Sequence, residues 1–110
     1  MSKDQVLLLL DERRDLLQEL GDLSALLHGS WVERYSTCSR PNCSCHHGKR
    51  HGPRYYLVIN VKGRQRQRYI PVHLADAVHE GLAQYRRLQE IVQRLTEINL
   101  ALLRHNHTGK

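Results

Sequence analysis

Leucines recur along the first part of the chain with the spacing of one helix face. Successive members of this stripe are separated by seven, four, three and four residues, which is typical of an amphipathic α-helix. Its members are Leu9, Leu16, Leu20, Leu23 and Leu27. Ser2 and Gln5 have the spacing of a capping box, and Gly29 is a natural stop. The pattern therefore predicts a first helix over residues 1–29.

Further leucines widen the apolar face of this helix. They are Leu7, Leu10, Leu17 and Leu26. Two interpretations stay open. In one, a second copy of the chain covers the surplus apolar surface in a four-helix bundle. In the other, the zinc turn and the β-hairpin predicted below, between the two helices, cover it. Gly21 lies inside the pattern and costs about 1 kcal/mol relative to alanine.

A second helix is predicted over residues 71–105. Its apolar positions alternate at intervals of three and four, and they are Leu88, Ile91, Leu95, Ile98 and Leu102. Pro71 suits the first turn of a helix because its missing amide hydrogen is not needed there. Both helices are long enough to lie antiparallel as a coiled-coil-like pair.

Between the helices, residues 54–70 have the pattern of a two-stranded antiparallel β-hairpin. Tyr55–Ile59 is rich in strand-forming residues, Asn60–Gly63 carries a turn signal, and Arg64–Ile70 can form the return strand. Side chains alternate between faces along a strand. Arg64, Arg66 and Arg68 should therefore project from one face, opposite Gln65, Gln67 and Tyr69.

The expected fold class is α+β, in a single domain over residues 1–110. In the sequence, a zinc-knuckle-like turn at residues 30–53 and the hairpin at 54–70 lie between helix one and helix two, and a tail follows at 106–110. The segment 1–29 shows no signal-peptide order, and no apolar run approaches the length of a membrane span. These features predict a cytoplasmic protein without a membrane partner.

All three cysteines of the chain lie within eight residues, in the segment CSRPNCSCHHGKRH. In a reducing compartment such clustering favours a metal site over disulfides, since an odd number leaves one thiol unpaired. Thiolates with one imidazole suit tetrahedral zinc. The predicted ligands of a structural Zn²⁺ are Cys38, Cys43, Cys45 and His51.

His46 and His47 compete with His51 for the fourth position. His46 follows Cys45 directly, which leaves little slack for both to bind one ion, so His51 is favoured. A buried cysteine cluster with surface histidines and a redox thiol site are the alternatives. Three cysteines argue against an iron–sulfur cluster.

The same region offers little for catalysis. Glu33 is the only carboxylate in residues 31–70, whereas a hydrolytic zinc site needs a nearby general base. A cysteine nucleophile next to His46 or His47 lacks an evident substrate pocket. We therefore expect no enzymatic activity and no small-molecule substrate.

Positive charge is concentrated in the middle of the chain. Residues 31–70 carry nine basic side chains against one acidic, whereas residues 1–30 carry three against six. Arginines in a row present planar donors to phosphate oxygens, and a two-stranded ribbon fits the DNA major groove. The predicted nucleic-acid contacts, with DNA favoured, are Lys49, Arg50, Arg54, Lys62, Arg64, Arg66 and Arg68. A purely solvated basic face is the simpler alternative.

Several of these residues form a pattern that resembles a family of small prokaryotic domains of unknown function. The matching positions are Gly29-Ser30, Val32–Tyr35, Cys38, Pro41, Cys43, Cys45, His51–Pro53, Tyr55–Leu57 and Arg68–Pro71. The resemblance covers about residues 29–105. It supports His51 over His46 and His47 as a ligand, and it implies an association with mobile elements.

Taken together, the sequence predicts a non-enzymatic nucleic-acid-binding accessory or regulatory protein of a mobile element or phage, with a structural zinc. The alternative is a zinc-stapled interaction adaptor that forms a homodimer, or binds another protein, through its helices.

Overall fold

The described part of the chain folds into two α-helices and one antiparallel sheet. The computed structural model describes residues 1–36, 48 and 51–108, with the backbone alone at residues 51, 107 and 108. In chain order the elements are α1 Lys3–Gly21, β1 Ser30–Ser36, β2 His51–Val61, β3 Arg64–Ile70, a 3-10 turn Val72–Leu74 and α2 Ala75–Thr108.

These elements form two compact units. The first consists of Met1–Leu26 and Ala83–Lys110, and the second is Leu27–Leu82. Helix α2 contributes to both, since its first turns belong to the second unit and the remainder to the first.

The core of the first unit lies between α1 and α2, where the predicted leucine stripes meet. Leu16, Ile91 and Ile98 are buried, and Leu9, Leu23, Leu95 and Leu102 pack against them. Glu19 pairs with Arg87 and Glu12 with Arg94. Because the partner's number rises as the number on α1 falls, the two helices run antiparallel.

The predicted start of α1 is confirmed and its predicted end is wrong. The Gln5 amide donates to Ser2 Oγ at 3.2 Å and the Ser2 amide donates to Gln5 Oε1 at 2.9 Å, which completes the capping box. The helix ends at Gly21 rather than Gly29. A glycine weakens the helix, and a hydrogen bond from the Ala25 amide to Gln84 Oε1 fixes a non-helical path just beyond.

The sheet has three strands in the order β1-β2-β3, so the predicted two-stranded hairpin is wrong. The α+β class is compatible with the structure. Strand β1 lies within the predicted zinc turn, residues 30–53, and Trp31, Val32 and Tyr35 favour strands there. The tight turn from β2 to β3 has positive φ at Lys62 and Gly63, as a type I′ hairpin turn requires.

Candidate nucleic-acid interface

Cross-strand pairing assigns most residues of the sheet to one of two faces, because residues directly opposite each other project to the same side. What we call the tryptophan face consists of Trp31, Glu33, Tyr55, Leu57, Ile59, Val61, Arg64, Arg66, Arg68 and Ile70. What we call the tyrosine face consists of Ser30, Val32, Arg34, Arg54, Tyr56, Val58, Asn60, Gln65, Gln67 and Tyr69.

The tryptophan face packs at one end against the start of α2. Leu57 and Val78 are buried. The Trp31 ring lies 5.0 Å from the Tyr55 ring and 4.2 Å from the His79 ring, measured between centroids. This aromatic contact anchors β1 and was not predicted, because it joins residues far apart in the sequence.

Three arginines extend the tryptophan face along the edge strand β3. Arg64, Arg66 and Arg68 alternate as predicted, and all three are exposed. They lie opposite Val61, Ile59 and Leu57, respectively. A long arginine side chain can lay its methylene stem on apolar neighbours while its guanidinium group stays in water. The row therefore presents its charges at the border of the sheet.

Among the described residues, the predicted contacts on β2, β3 and the turn between them have no ion pair with the protein's own acids. Within residues 1–36, 48 and 51–108, no carboxylate forms an ion pair with Arg54, Lys62 or any arginine of β3. Two further predicted contacts, Lys49 and Arg50, lie outside the described residues. The described sheet cations are thus available to an external anion.

Cations on the helix pair have a different role. Arg94 donates to both carboxylate oxygens of Glu12, at 2.6 and 2.7 Å. Arg87 holds Glu19 in the same two-pronged way, with Nη2 at 2.8 Å from Oε1. The hydrogen bond from the arginine, assisted by its charge, lowers the pKa of each carboxyl group below the ordinary value of 4.5 against the opposing effect of burial. The pKa of each arginine is raised in turn.

The tyrosine face carries a second group of aromatic and basic side chains. The Tyr56 and Tyr69 rings meet nearly edge-on, with centroids 5.9 Å apart and planes at 68°. The guanidinium carbon of Arg34 lies 5.2 Å from the centroid of the Tyr56 ring, within the range of a cation–π contact. Arg34 was missed as a candidate contact because β1 was not recognised as a strand.

Strands β1 and β2 flank the three predicted cysteine ligands in the sequence. Cys38, Cys43 and Cys45 lie outside the described residues, and of His51 the structure describes the backbone alone. Ser36, the last residue of β1, pairs with His51, the first residue of β2. The chain therefore leaves β1 and enters β2 at the same end of the ladder.

The ladder changes register next to His51. Arg34 pairs with Arg54 and Ser36 with His51, so β2 carries one extra residue at this point. Gly52 has φ of 135°, and an added Cβ atom would lie 2.8 Å from the Arg34 carbonyl oxygen. This bulge needs glycine both for its backbone conformation and for space.

No group of three or more His, Cys, Asp or Glu side chains able to hold a metal occurs among the described residues. The zinc prediction rests on residues beyond them. In the described part of the chain, neither helix has the length and apolar character that crossing a bilayer requires.

Fold and surface define a small α+β protein with a three-stranded sheet that has an arginine-rich edge. Residues 8–80 match the model of a family described as a domain of unknown function, DUF6788. Because this match spans more than half of the chain, the protein belongs to that family. No curated protein and no solved structure matches the chain. The Cys₃His pattern and the mobile-element association remain predictions.

Proposed function

We propose that this protein binds nucleic acid, with DNA favoured, as a non-enzymatic accessory or regulatory factor. The observation that carries the proposal is the exposed row of Arg64, Arg66 and Arg68 on the edge strand, with no ion-pair partner in the described ranges. A cytoplasmic location and a role in a mobile element or phage are part of the same proposal.

The chemistry of the row supports a phosphate ligand. Alternate residues on one strand face lie about 6.8 Å apart, so three guanidinium groups follow one another along an extended line. Each offers planar paired donors that match phosphate oxygens. Arg54 on β2 and Lys62 in the turn between β2 and β3 add charge. Lys49 and Arg50 add charge in the sequence between β1 and β2. A polyanion such as nucleic acid has phosphates in a line, which match this line of cationic donors.

Charged edge strands also have a simpler use, which is to prevent edge-to-edge aggregation of sheets. That use requires charge but no ligand. It predicts that variants without the arginines aggregate more readily, whereas the proposed function predicts that they lose affinity for nucleic acid. The two readings are therefore separated by a binding measurement on monodisperse protein.

The test is an anisotropy titration of labelled duplex DNA, single-stranded DNA and RNA at about 50 and about 200 mM salt. We expect binding at the lower salt that weakens steeply at the higher salt. In the triple variant Arg64→Gln, Arg66→Gln, Arg68→Gln, the slope of log K against log salt should fall in magnitude by about 2 to 3, since each lost phosphate contact removes about 0.7 to 0.9.

A matched variant controls for net charge. Lys3→Gln, Arg14→Gln, Arg86→Gln also removes three exposed cations, but from the helices. We expect its affinity and salt slope to stay close to those of the parent protein. Equal losses of affinity in both triple variants would show that overall charge, and not the arginine row of β3, determines binding. Absence of binding to every probe at the lower salt would refute the proposal.

Structural zinc is the second part of the proposal, with Cys38, Cys43, Cys45 and His51 as ligands. It is supported by the donor set, which suits tetrahedral zinc. The pairing of Ser36 with His51 also supports it, because it joins the chain on either side of the three cysteines. The ion would stabilise this end of the sheet. Zinc per chain, measured by elemental analysis, should be close to one. His51→Ala should lower it, whereas His46→Ala and His47→Ala should leave it unchanged, and the opposite pattern would overturn the ligand set.

An alternative function is favoured by one observation on the helices. Leu7 and Leu17, which share a stripe of α1, are each 51% exposed, and Leu100 and Leu103 on α2 are also exposed. Exposed leucines at helical spacing suit a homodimer or another protein partner. The adaptor reading predicts a dimer in sedimentation analysis that Leu7→Gln, Leu17→Gln converts to a monomer. A monomeric parent protein would exclude the homodimer.

A further inference from the structure

Side chains on the tyrosine face are sorted into neighbouring rows across the strands. One row pairs Arg34 with Arg54, and the next contains Val32, Tyr56 and Tyr69. Beyond these lie rows that contain the amides, which are Gln67, Asn60 and Gln65. Cationic, aromatic and amide side chains thus follow one another over a short distance on a single face.

Within the aromatic row, the two tyrosines are exposed to different extents. Tyr69 is 58% exposed, whereas Tyr56 is half-buried. Tyr56 contacts Tyr69 by the edge-on geometry and receives Arg34 near its ring. These contacts hold Tyr56 in place and limit the freedom of its neighbour. Tyr69 is consequently a supported aromatic ring at the edge of the sheet with much of its surface in solvent.

The cross-strand pair of Arg34 and Arg54 is electrostatically unfavourable without a ligand. Arg34 and Arg54 lie directly opposite each other, and both are exposed. Like charges in a cross-strand pair are destabilising. None of the ten residues of this face is acidic, because the pairing places Glu33 on the tryptophan face. An anion bound between the two guanidinium groups would relieve the repulsion.

This inference rests on the proposed function: we propose that the ligand is single-stranded nucleic acid, which the arginines of the edge strand β3 hold at the border of the sheet and which continues across the tyrosine face. A base stacks on Tyr69, the flanking phosphates meet Arg34 and Arg54, and Gln67 contacts a base edge. Stacking on aromatic side chains together with backbone cations is how proteins hold unpaired strands. A duplex is disfavoured at this face, because the faces of its bases are already stacked on one another.

A stabilising role for the tyrosines makes a different prediction. A cross-strand aromatic pair strengthens a sheet without any ligand. If that were its whole use, replacing Tyr69 would change the free energy of unfolding and leave the affinity for a single strand unaltered in the folded protein. Binding and stability must therefore be measured on the same variants.

The test compares Tyr69→Leu with Tyr69→Phe in anisotropy titrations of labelled oligonucleotides of about 12 nucleotides, within the usual site sizes. The probes are single-stranded DNA, single-stranded RNA and duplex DNA. We expect Tyr69→Leu to weaken single-strand binding about 5- to 150-fold, the range for loss of one base–aromatic stack. Tyr69→Phe keeps the ring and should bind like the parent protein. The DNA and RNA probes show which backbone is preferred.

Tyr35→Leu is the matched control, because Tyr35 is similarly exposed, at 52%, and lies outside the aromatic row. Its affinity should not change. Should Tyr69→Leu not fold, Arg54→Gln tests the same face, and it should weaken single-strand binding and lower the salt slope by about 0.7.

The proposal would be overturned by unchanged single-strand affinity in folded Tyr69→Leu or, where that variant does not fold, in Arg54→Gln. Duplex binding tighter than single-strand binding by the parent protein would also overturn it. If the arginine variant of β3 still loses affinity in either case, nucleic-acid binding itself stands and this ligand assignment alone fails. If the parent protein binds no probe, both fail together.

Discussion

Replacing Ile91 by alanine should remove a large part of the stability of the helix pair. The Ile91 side chain is 0% exposed and lies in the cluster with Leu16 and Ile98. The substitution deletes three carbon atoms, which at about 0.8 kcal/mol per buried carbon gives about 2.4 kcal/mol of lost transfer free energy. The cavity left behind raises the expected loss to about 3 to 4 kcal/mol.

Urea denaturation followed by far-UV circular dichroism measures this loss, since the helices dominate the signal. Val92→Ala is the matched control, because Val92 is the next residue and is 52% exposed. Its two lost carbons are worth about 0.8 kcal/mol at half burial, and the higher helix propensity of alanine offsets about 0.5 kcal/mol. Ile91→Val should cost about 1 kcal/mol. Similar losses in Ile91→Ala and Val92→Ala would refute the packing described for this core.

Three further measurements address the ion pairs, the helix start and the strand bulge. The folded-state pKa values of Glu12 and Glu19 lie below 4.5. The stability that their ionised forms contribute is therefore present above pH 4.5 and is lost as the pH falls through the folded-state pKa values. Denaturation midpoints measured against pH should show this loss in the parent protein and a weaker loss in the double variant Glu12→Gln, Glu19→Gln. Ser2→Ala should lower the free energy of unfolding by about 1 kcal/mol through loss of the cap, and an unchanged midpoint would argue against the capping box. Gly52→Ala should lower the free energy of unfolding by about 1 to 3 kcal/mol, since alanine is strained at this φ. Gly21→Ala should not lower it, because an added Cβ atom at Gly21 meets nothing within 4 Å. Equal effects of the two substitutions on the free energy of unfolding would contradict the bulge.

Sequence patterns within a single segment predicted the packing face of each helix and the start of α1. The leucine stripes identified the positions that pack between α1 and α2, and the capping box identified the first turn of α1. The end of α1 was predicted wrongly, since the stripe continues past Gly21 to Leu27. There the Ala25 amide bonds to the side chain of Gln84, which is distant in the sequence.

Most features of the candidate site that the sequence did not predict depend on strand pairing. Periodicity put Arg64, Arg66 and Arg68 on one face, but it did not show that this face also carries Trp31. Nor did it show that Arg34 joins Arg54 on the other face, since that requires β1 in register with β2. The same pairing put Tyr69 next to Tyr56, on the face opposite Tyr55 and Trp31.

Taken alone, the sequence determined the α+β class, the alternation along β3 and the concentration of positive charge in the middle of the chain. These properties depend on residue types at fixed short spacings, so a single segment suffices to read them. Tertiary structure decided which cations are neutralised: Arg87 and Arg94 are held by Glu19 and Glu12 on a neighbouring helix. It also put Tyr69 next to Tyr56 and Trp31 next to Tyr55. Both outcomes depend on contacts between residues far apart in the chain, which form only when the helices pack and the strands pair.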